Sequence, residues 1–272
     1  MNILEKIVAR KKEEIAAAKK VKSISELEKE PLFARKTVSL AAALKQAQKP
    51  RIISEFKRKS PSKGVINGAV DPAKVTKDYV NADAAALSVL TDIDFFGGSF
   101  GDFAAARQAN PEIPMLRKDF MVDPYQLYEA KAIGADVVLL IAACLTPEEV
   151  IALSEKAHEL GLEVLLEVHD AEELKATLCE SVDIVGVNNR NLKTFETSIE
   201  TSIALSEHIP DSFVKISESG LQDAETIQRL YQHGYKGFLI GETFMKTVNP
   251  GAALADLQND LSQFSNQNPL VL

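Results

Sequence analysis

Residues 134–168 read GADVVLLIAACLTPEEVIALSEKAHELGLEVLLEV, and this stretch decides the fold. It contains two short apolar runs, at residues 136–142 and 163–168, with an amphipathic segment between them. Thr146 and Pro147 are typical of a helix start, because a capping residue precedes a proline at the first helical position. Gly161 follows the helical pattern, where a left-handed residue is needed. The stretch therefore predicts a strand, a helix and a second strand.

The same alternation of strand and helix patterns continues along most of the chain. Apolar runs predict strands at residues 51–57, 85–91, 114–120, 136–142, 163–168, 184–189, 213–219 and 237–241. Helical patterns lie between them, for example at residues 71–81, 124–133, 147–160, 171–179 and 223–233. Eight strands, each followed by a helix or a long connection, predict an α/β fold of the (β/α)8 TIM-barrel type with an N-terminal helical extension.

The chain is predicted to divide into three parts. Residues 1–48 stand outside the alternation, and Ile3, Ile7 and Ile15 recur on a highly charged helical pattern. We expect these residues to form a helical extension packed on the barrel, across its bottom or its mouth. Residues 49–260 are predicted to form the catalytic barrel, and residues 261–272 a C-terminal tail. A purely structural plug for the barrel floor is an equally good interpretation of the extension.

Composition and charge limit the classes of partner. The chain of 272 residues is 46% hydrophobic and 26% charged, which is typical of a soluble globular protein. Its formal net charge of −8 is unfavourable for non-specific nucleic-acid binding, although a few local cations can still bind an anionic substrate. No apolar run approaches the roughly 20 residues of a membrane span. We expect a cytoplasmic monomer or weak oligomer with no nucleic-acid or membrane partner.

Charged residues at the ends of apolar runs are the main functional signal. A lone charge removed from water costs several kcal/mol, so each of these residues must be paired, solvated in a cavity or used in chemistry. Side chains alternate along a strand, which places these charges on the same face as the apolar residues that would fill the barrel. The residues are Glu55, Lys57, Lys118, Glu167 and Glu218, with Asn188 near the end of the sixth predicted strand. In a barrel all these ends face one mouth, whereas an open doubly wound sheet, the alternative fold, concentrates its site at one switch point. The alternative function is an ion-pair network that closes the barrel.

Glycines after the last two strands predict a phosphate site. Ser219 and Gly220 end the seventh strand, and Gly241 ends the eighth just before a short helical pattern. Barrels often bind phosphate at these two loops, where glycine allows backbone N–H groups to approach the anion. The basic segment at residues 54–64, SEFKRKSPSKG, also suits anion recognition. Ordinary turn chemistry and a solvated loop are the alternatives.

Seven motifs in order and spacing resemble those of the indole-3-glycerol phosphate synthase family. They are SEFKRKSPSKG at 54–64, SVLTDIDFFGGS at 88–99, LRKDFMVDPYQ at 116–126, LLEVHD at 165–170, GVNNRNLKTFE at 186–196, ISESGL at 216–221 and FLIGE at 238–242. The resemblance implies a decarboxylating and dehydrating ring closure of 1-(2-carboxyphenylamino)-1-deoxyribulose 5-phosphate in tryptophan biosynthesis. It implies a carboxy-lyase that acts on a small phosphorylated molecule without a cofactor or metal.

The resemblance also implies roles for individual residues. Lys118 matches the general acid and Glu167 its carboxylate partner. The other implied catalytic residues are Glu55, Lys57, Asn188 and Glu218. The implied substrate-binding residues are Ser60, Phe96, Phe120, Leu139, Arg190, Ser219, Gly220, Gly241 and Glu242. Some family members have a hydroxyl at the position of Glu242, so its phosphate contact is expected from the main chain alone.

Two other functions fit some of the same residues. A barrel aldolase that forms a Schiff base would explain Lys118 by chemistry alone. A non-catalytic phosphosugar-binding protein is the other class, and the three glutamates at strand ends are evidence against it. Ring closure itself needs a cationic acid at the ketone oxygen and a pocket that folds the substrate, which the charged residues could provide.

Overall fold

The computed structural model describes residues 2–192 and 194–267. Within these residues, eight parallel strands close into a barrel in chain order, and the first strand pairs with the eighth. The strands, numbered β1 to β8, are Arg51–Phe56, Ala86–Leu90, Met115–Lys118, Val137–Ile141, Glu163–Val168, Ile184–Asn188, Val214–Glu218 and Gly237–Ile240. Each lies inside one of the predicted apolar runs, so the predicted (β/α)8 barrel is confirmed.

Helices surround the barrel and precede it. Numbered α1 to α12, they are Ile3–Val21, Ile24–Leu27, Leu40–Lys45, Pro72–Asn81, Phe100–Ala109, Tyr125–Ala132, Pro147–Glu159, Ala171–Thr177, Glu200–Ser206, Ala224–Gln232, Glu242–Met245 and Pro250–Gln267. The predicted start of α7 is confirmed, because the Thr146 side chain accepts a hydrogen bond from the Glu149 N–H in a capping box. Gly161 has a φ of +70°, as its place after this helix requires. In the described chain no helix is both long and apolar enough to cross a membrane.

Alternation along the strands separates two apolar layers. Inward residues such as Ile53, Leu116 and Leu165 form one buried cluster inside the barrel. Outward residues such as Ile52 and Leu87 pack beneath the helices in a second cluster. The predicted inward faces are therefore confirmed, and charged residues that continue the inward face emerge at the barrel mouth.

The N-terminal helices contact both ends of the barrel. Leu40 and Leu44 of α3 belong to the interior cluster at the barrel floor. The Glu163 carboxylate at the start of β5 holds this helix by accepting hydrogen bonds from the Leu40 and Ala41 N–H groups at 2.8 and 2.9 Å. At the opposite end, α1 places Ile7 against the mouth. The domain boundaries at residues 48 and 49 stay a prediction.

The C-terminal segment is more regular than the tail that the sequence predicts. A tail is predicted from residue 261, but α12 continues to Gln267. Leu254, Leu257 and Leu261 recur on one face of this helix and are buried, and the helix packs against α4 and α10. This apolar stripe explains the continued helix. Residues 268–272 of the predicted tail lie outside the described residues.

Candidate active site

A cavity of about 300 Å³ lies at the carboxyl ends of the strands. It brings together every residue for which the sequence predicts a role. The predicted catalytic residues in its wall are Glu55, Lys57, Lys118, Glu167, Asn188 and Glu218. The predicted substrate-binding residues in its wall are Ser60, Phe96, Phe120, Leu139, Arg190, Ser219, Gly220, Gly241 and Glu242. The prediction of one convergent polar pocket therefore agrees with the geometry, while the role of each residue stays a prediction.

Lys118 at the end of β3 is held between two buried carboxylates. Its Nζ atom lies 2.8 Å from Glu167 Oε2 on β5 and 2.7 Å from Glu218 Oε2 on β7. The side chains of both glutamates are almost completely buried. One ammonium group thus bridges two strands that are not neighbours of β3, and the three side chains form the centre of the cavity floor.

Burial and charge set different protonation preferences for these three groups. Burial alone would lower the pKa of Lys118, but the charges of Glu167 and Glu218 outweigh it and raise this pKa. Burial would raise the pKa of Glu167, but Lys118 and His169 outweigh it and hold this pKa well below its usual range. Burial raises the pKa of Glu218 to about 7, and the negative charge of Glu167 adds to the effect while Lys118 opposes it. The site therefore pairs a cation and a carboxylate with a second carboxyl group that can exchange a proton near neutral pH.

Glu167 has further partners on its other oxygen. Asn188 Nδ2 donates a hydrogen bond to Glu167 Oε1 at 3.0 Å. His169 Nε2 lies 3.3 Å from the same oxygen without the alignment of a hydrogen bond, so this contact is electrostatic. Glu173 Oε2 fixes the imidazole from behind, 3.1 Å from Nδ1. The geometry thus surrounds the Glu167 carboxylate with positive and hydrogen-bonding groups.

Glu55 and Lys57 form a second lysine–carboxylate ion pair at the end of β1. Lys57 Nζ lies 2.6 Å from Glu55 Oε1, and Ser88 Oγ donates a hydrogen bond to Glu55 Oε2 at 3.3 Å. Gly241 lies directly against this carboxylate, because a Cβ atom added there would be 2.5 Å from Glu55 Oε1. A side chain at position 241 would therefore displace the Glu55 carboxylate.

A cluster of charges lies at the side of the cavity formed by the last strands and the basic loop. Arg190 donates hydrogen bonds from Nη1 to Ser62 Oγ at 2.9 Å and from Nη2 to Glu242 Oε2 at 3.3 Å. Lys63 Nζ lies 3.5 Å from Glu242 Oε1. Partial burial would raise the pKa of Glu242, but Lys63 and Arg190 outweigh it and lower this pKa. Two cations and one carboxylate thus border the predicted phosphate end.

The loop after β7 contains two residues with left-handed backbone at the cavity wall. Ser219 and Gly220 have φ values of +68° and +74°, and both line the cavity. Left-handed backbone is unfavourable for serine, so this turn is held by its surroundings. A Cβ atom at Gly220 would be 2.6 Å from Thr197 Cγ2, so the glycine also lets the loop after β6 pack closely. Substituting either cavity glycine would therefore disturb the turn or the Glu55 side chain along with any phosphate contact.

An apolar wall lies at the other side of the cavity. Phe96 and Phe120 are tilted against each other, with ring centroids 5.9 Å apart. Helix α1 adds Ile3, Leu4 and Ile7 to the wall. The cavity therefore combines an aromatic and aliphatic surface with the charged residues at the strand ends.

Sequence interpretation missed several residues that shape the site. His169 matches the pattern of a surface or capping histidine, yet it is buried beside Glu167. The apolar residues of α1 have no strand-end signal, because their positions depend on how the extension folds back. Ser62 and Lys63 lie in the basic segment that the sequence analysis relates to anion recognition, without an individual role for either residue. The string LLEVHD, with its histidine two residues after Glu167, was the one available signal for His169.

The chain is a (β/α)8 barrel whose candidate active site lies at the carboxyl ends of the strands, where enzymes of this fold have theirs. The family model described as indole-3-glycerol phosphate synthase matches residues 4–257. A Bacteroides thetaiotaomicron protein named indole-3-glycerol phosphate synthase is 48% identical over 253 residues, which cover 93% of this chain and 96% of that protein. A Bordetella pertussis protein of the same name is 43% identical over 259 residues, with 94% and 98% covered. The chain belongs to the indole-3-glycerol phosphate synthase family.

Solved structures with low sequence identity share the fold. Tryptophan synthase subunit alpha from Legionella pneumophila aligns with a TM-score of 0.61 at 13% identity, covering 82% of this chain and 97% of that one. The 3-hexulose-6-phosphate synthase from Salmonella typhimurium aligns with a TM-score of 0.62 at 13% identity, covering 78% and 99%. Both similarities support the barrel architecture alone.

Proposed function

We propose that this chain closes the indole ring of 1-(2-carboxyphenylamino)-1-deoxyribulose 5-phosphate, forming indole-3-glycerol phosphate, carbon dioxide and water in tryptophan biosynthesis. The observation that carries the proposal is the Lys118 ammonium, held between Glu167 and Glu218 on the floor of a cavity with an aromatic wall and a cationic end. Membership of the family supplies the reaction. The activity is that of a carboxy-lyase.

Ring closure is assigned to Lys118. The ring carbon that bears the carboxylate attacks the ketone carbon, and the ketone oxygen takes a proton as the new carbon–carbon bond forms. A positioned ammonium group supplies this proton and stabilises the developing negative charge. Glu167, which stays ionised, orients the ammonium group and compensates its charge. The aromatic wall and the phosphate end hold the two halves of the substrate so that the carbons meet.

The later steps release carbon dioxide and water. Loss of the carboxylate breaks its bond to the ring and returns the electron pair, which restores aromaticity. The hydroxyl formed in the first step then leaves as water with a second proton, while a proton is removed to complete the indole double bond. Lys57, paired with Glu55, is the second cationic donor at the mouth, and Glu218 is the carboxyl group that can exchange a proton near neutral pH.

The surroundings of Lys118 are unfavourable for the aldolase alternative. A Schiff base requires a neutral amine, whereas two carboxylates in contact with Nζ stabilise the ammonium form. Treatment with borohydride during turnover distinguishes the two functions. An adduct on Lys118 would support the aldolase, and unimpaired ring closure without an adduct would support the lyase.

The assay for the proposed activity uses the fluorescence of the indole product. The chain contains no Trp, so indole emission is read against a background of 5 Tyr. Purified protein should generate this emission from the carboxyphenylamino substrate, at a rate proportional to enzyme concentration. Consumption of the substrate without indole emission would contradict the proposal.

Arg190→Met is expected to weaken binding of both indole-3-glycerol phosphate and inorganic phosphate, because both lose the same guanidinium group. A charge-assisted hydrogen bond contributes about 1.5–3 kcal/mol, which corresponds to roughly a 10- to 100-fold increase in Kd. Equilibrium titration measures both constants. Arg229→Met is the control, since Arg229 forms an exposed ion pair with Glu200. Unchanged phosphate binding in Arg190→Met would place the phosphate elsewhere.

His169→Gln is expected to lower the free energy of unfolding in a pH-dependent way. Burial would lower the pKa of His169, but Glu167 and Glu173 raise it from 6.5 to about 10. Because the folded-state pKa is raised, the stabilisation is fully present below pH 6.5 and is lost as the pH rises through about 10. At pH 6 the free energy of unfolding of the variant should be about 1.5–3 kcal/mol lower than that of the wild type, a difference typical of hydrogen bonds to charged groups.

Denaturant unfolding of wild type and variant between pH 6 and 10 measures this difference. His158→Gln is the control, because His158 pairs with Asp183 in a much more exposed position. A difference for His169→Gln that is constant across this pH range would contradict the electrostatic account.

We also propose that the protein acts in the cytoplasm as a monomer or weak oligomer, without a nucleic-acid or membrane partner. The net charge of −8 supports the exclusion of nucleic acid. Sedimentation of the purified protein tests its oligomeric state.

A further inference from the structure

Lys11 of helix α1 is a buried cation among three carboxylates. Its Nζ atom lies 2.7 Å from Glu14, 3.0 Å from Asp92 Oδ2 and 3.0 Å from Asp119 Oδ1. The Lys11 side chain is 5% exposed, and those of Asp92 and Asp119 are 1% and 2% exposed. Asp92 follows β2 and Asp119 follows β3, so one lysine connects the N-terminal helix to two different loops at the barrel mouth.

The same two aspartates hold the backbone of the aromatic wall. Asp92 Oδ1 accepts hydrogen bonds from the Phe95 N–H at 2.8 Å and the Phe96 N–H at 3.1 Å. Asp119 Oδ1, which also contacts Lys11, accepts a hydrogen bond from the Phe120 N–H at 2.8 Å. The ammonium group therefore contacts the two carboxylates that accept hydrogen bonds from the backbone of Phe96 and Phe120, whose rings line the cavity.

Helix α1 contributes to the same wall directly. Ile7 lies four residues before Lys11, on the same face of the helix, and lines the cavity. Asp119 is also held from behind, since its Oδ2 accepts hydrogen bonds from Thr91 Oγ1 and Arg117 Nη2. Asp92 Oδ2, in contrast, has no hydrogen bond among the described residues and has the Lys11 ion pair instead. The Lys11 ion pairs therefore connect the Phe96 loop to the loop of Phe120, beside the hydrogen bonds from Lys59 to the Phe96 and Asp94 carbonyl oxygens.

We propose that Lys11 is a positioning residue that sets the spacing of Phe96 and Phe120 and thereby the affinity of the site for an aromatic ring. The proposal rests on the proposed function, which places the carboxyphenyl group of the substrate against these rings. Lys11 itself touches the two aspartates, and its effect reaches the ligand through them. The phosphate end, built from Arg190 and its partners on other loops, lies outside this network.

The test compares an aromatic and a non-aromatic ligand. Lys11→Gln is expected to raise the KM for the carboxyphenylamino substrate and the Kd for indole-3-glycerol phosphate by about tenfold or more, because the two rings lose their fixed spacing. The Kd for inorganic phosphate should change by less than about twofold, and kcat should fall less than KM rises. A role limited to stability would lower the melting temperature and leave the ratio of the two dissociation constants unchanged, which would overturn the proposal.

Two further variants keep the test independent of folding. Arg10→Met removes a neighbouring ion pair from the same helix to Asp94 in the same loop, but at an exposed position, so it should change neither constant. Asp92→Ala removes the acceptor for Phe95 and Phe96 while Lys11 keeps Asp119 and Glu14. It should reproduce the selective loss of aromatic binding even where Lys11→Gln does not fold.

An equal Kd for indole-3-glycerol phosphate in Asp92→Ala and wild type would also overturn the proposal. Failure of the wild type to form or bind the indole product would instead contradict the proposed function, and the two results are therefore distinguishable.

Discussion

Lys118→Met is expected to lower kcat by about 10²–10⁴-fold, the usual cost of losing a positioned acid. Methionine approximates the length of the lysine stem but cannot donate a proton to the ketone oxygen. Without the ammonium group, Glu167 and Glu218 become two buried carboxyl groups with no cation between them, so one of them should stay protonated. We expect the fold and the affinity for inorganic phosphate to persist, since the phosphate end contains other residues.

Lys215→Met is the matched control for this variant. Lys215 is also a buried lysine of a barrel strand, but it is the second residue of β7, lies on the outward face of the strand and donates to the Ser206 carbonyl oxygen at 2.8 Å. The Lys215→Met variant should be less stable than the wild type but keep the wild-type turnover. Retention of more than about a tenth of the wild-type rate by Lys118→Met would be incompatible with the acid role.

Glu167→Gln is expected to lower kcat by about 10²-fold or more while changing KM much less, because Glu167 orients and charge-compensates the proton donor Lys118 and does not hold the substrate. The substitution keeps the shape of the side chain but removes the charge that compensates Lys118. Glu218 then becomes the main counter-charge of the ammonium group. This lowers the pKa of Glu218, so its carboxyl group no longer exchanges a proton near neutral pH. Steady-state kinetics over a range of substrate concentrations separate the two parameters.

Glu163→Gln is the control at the other end of the same strand. Glu163 is a partly buried carboxylate that holds the N-terminal helix α3 at the barrel floor. This variant should unfold at a lower temperature with unchanged kcat. If Glu167→Gln behaves in the same way, the glutamate is structural and the ion-pair interpretation of the strand ends is correct.

Much of the fold and the centre of the site could be predicted because both depend on local patterns. Strand β5 combines a continuous apolar run with Glu167 on its inward face, and these two features specify a buried strand that ends at a polar pocket. The cap at Thr146 and the glycine at 161 likewise depend on neighbouring residues alone. Such signals repeat around the barrel, so the predicted site residues meet in one cavity.

The missed elements depend on contacts between distant parts of the chain. Helix α5 carries alanines on most faces, and its N-cap, Ser99, lies inside a glycine-rich loop pattern, so its periodicity is weak. Helix α9 has seven residues, too few for a clear apolar stripe. Lys11 has the sequence context of a solvated helix, and its burial follows from Asp92 and Asp119, which are more than 80 residues away. Tertiary packing determines both helices and the burial of Lys11, and local sequence propensity contains no information about such packing.

The most direct test of the central claim is the stoichiometry of carbon dioxide and indole in one reaction. Purified wild-type protein should release one carbon dioxide for each indole-3-glycerol phosphate formed, and the amount of each product should equal the amount of carboxyphenylamino substrate consumed. The Lys118→Met variant should release neither product at a comparable rate. Consumption of the substrate with carbon dioxide but no indole, or with a borohydride-trapped adduct on Lys118, would contradict acid-catalysed ring closure at this site.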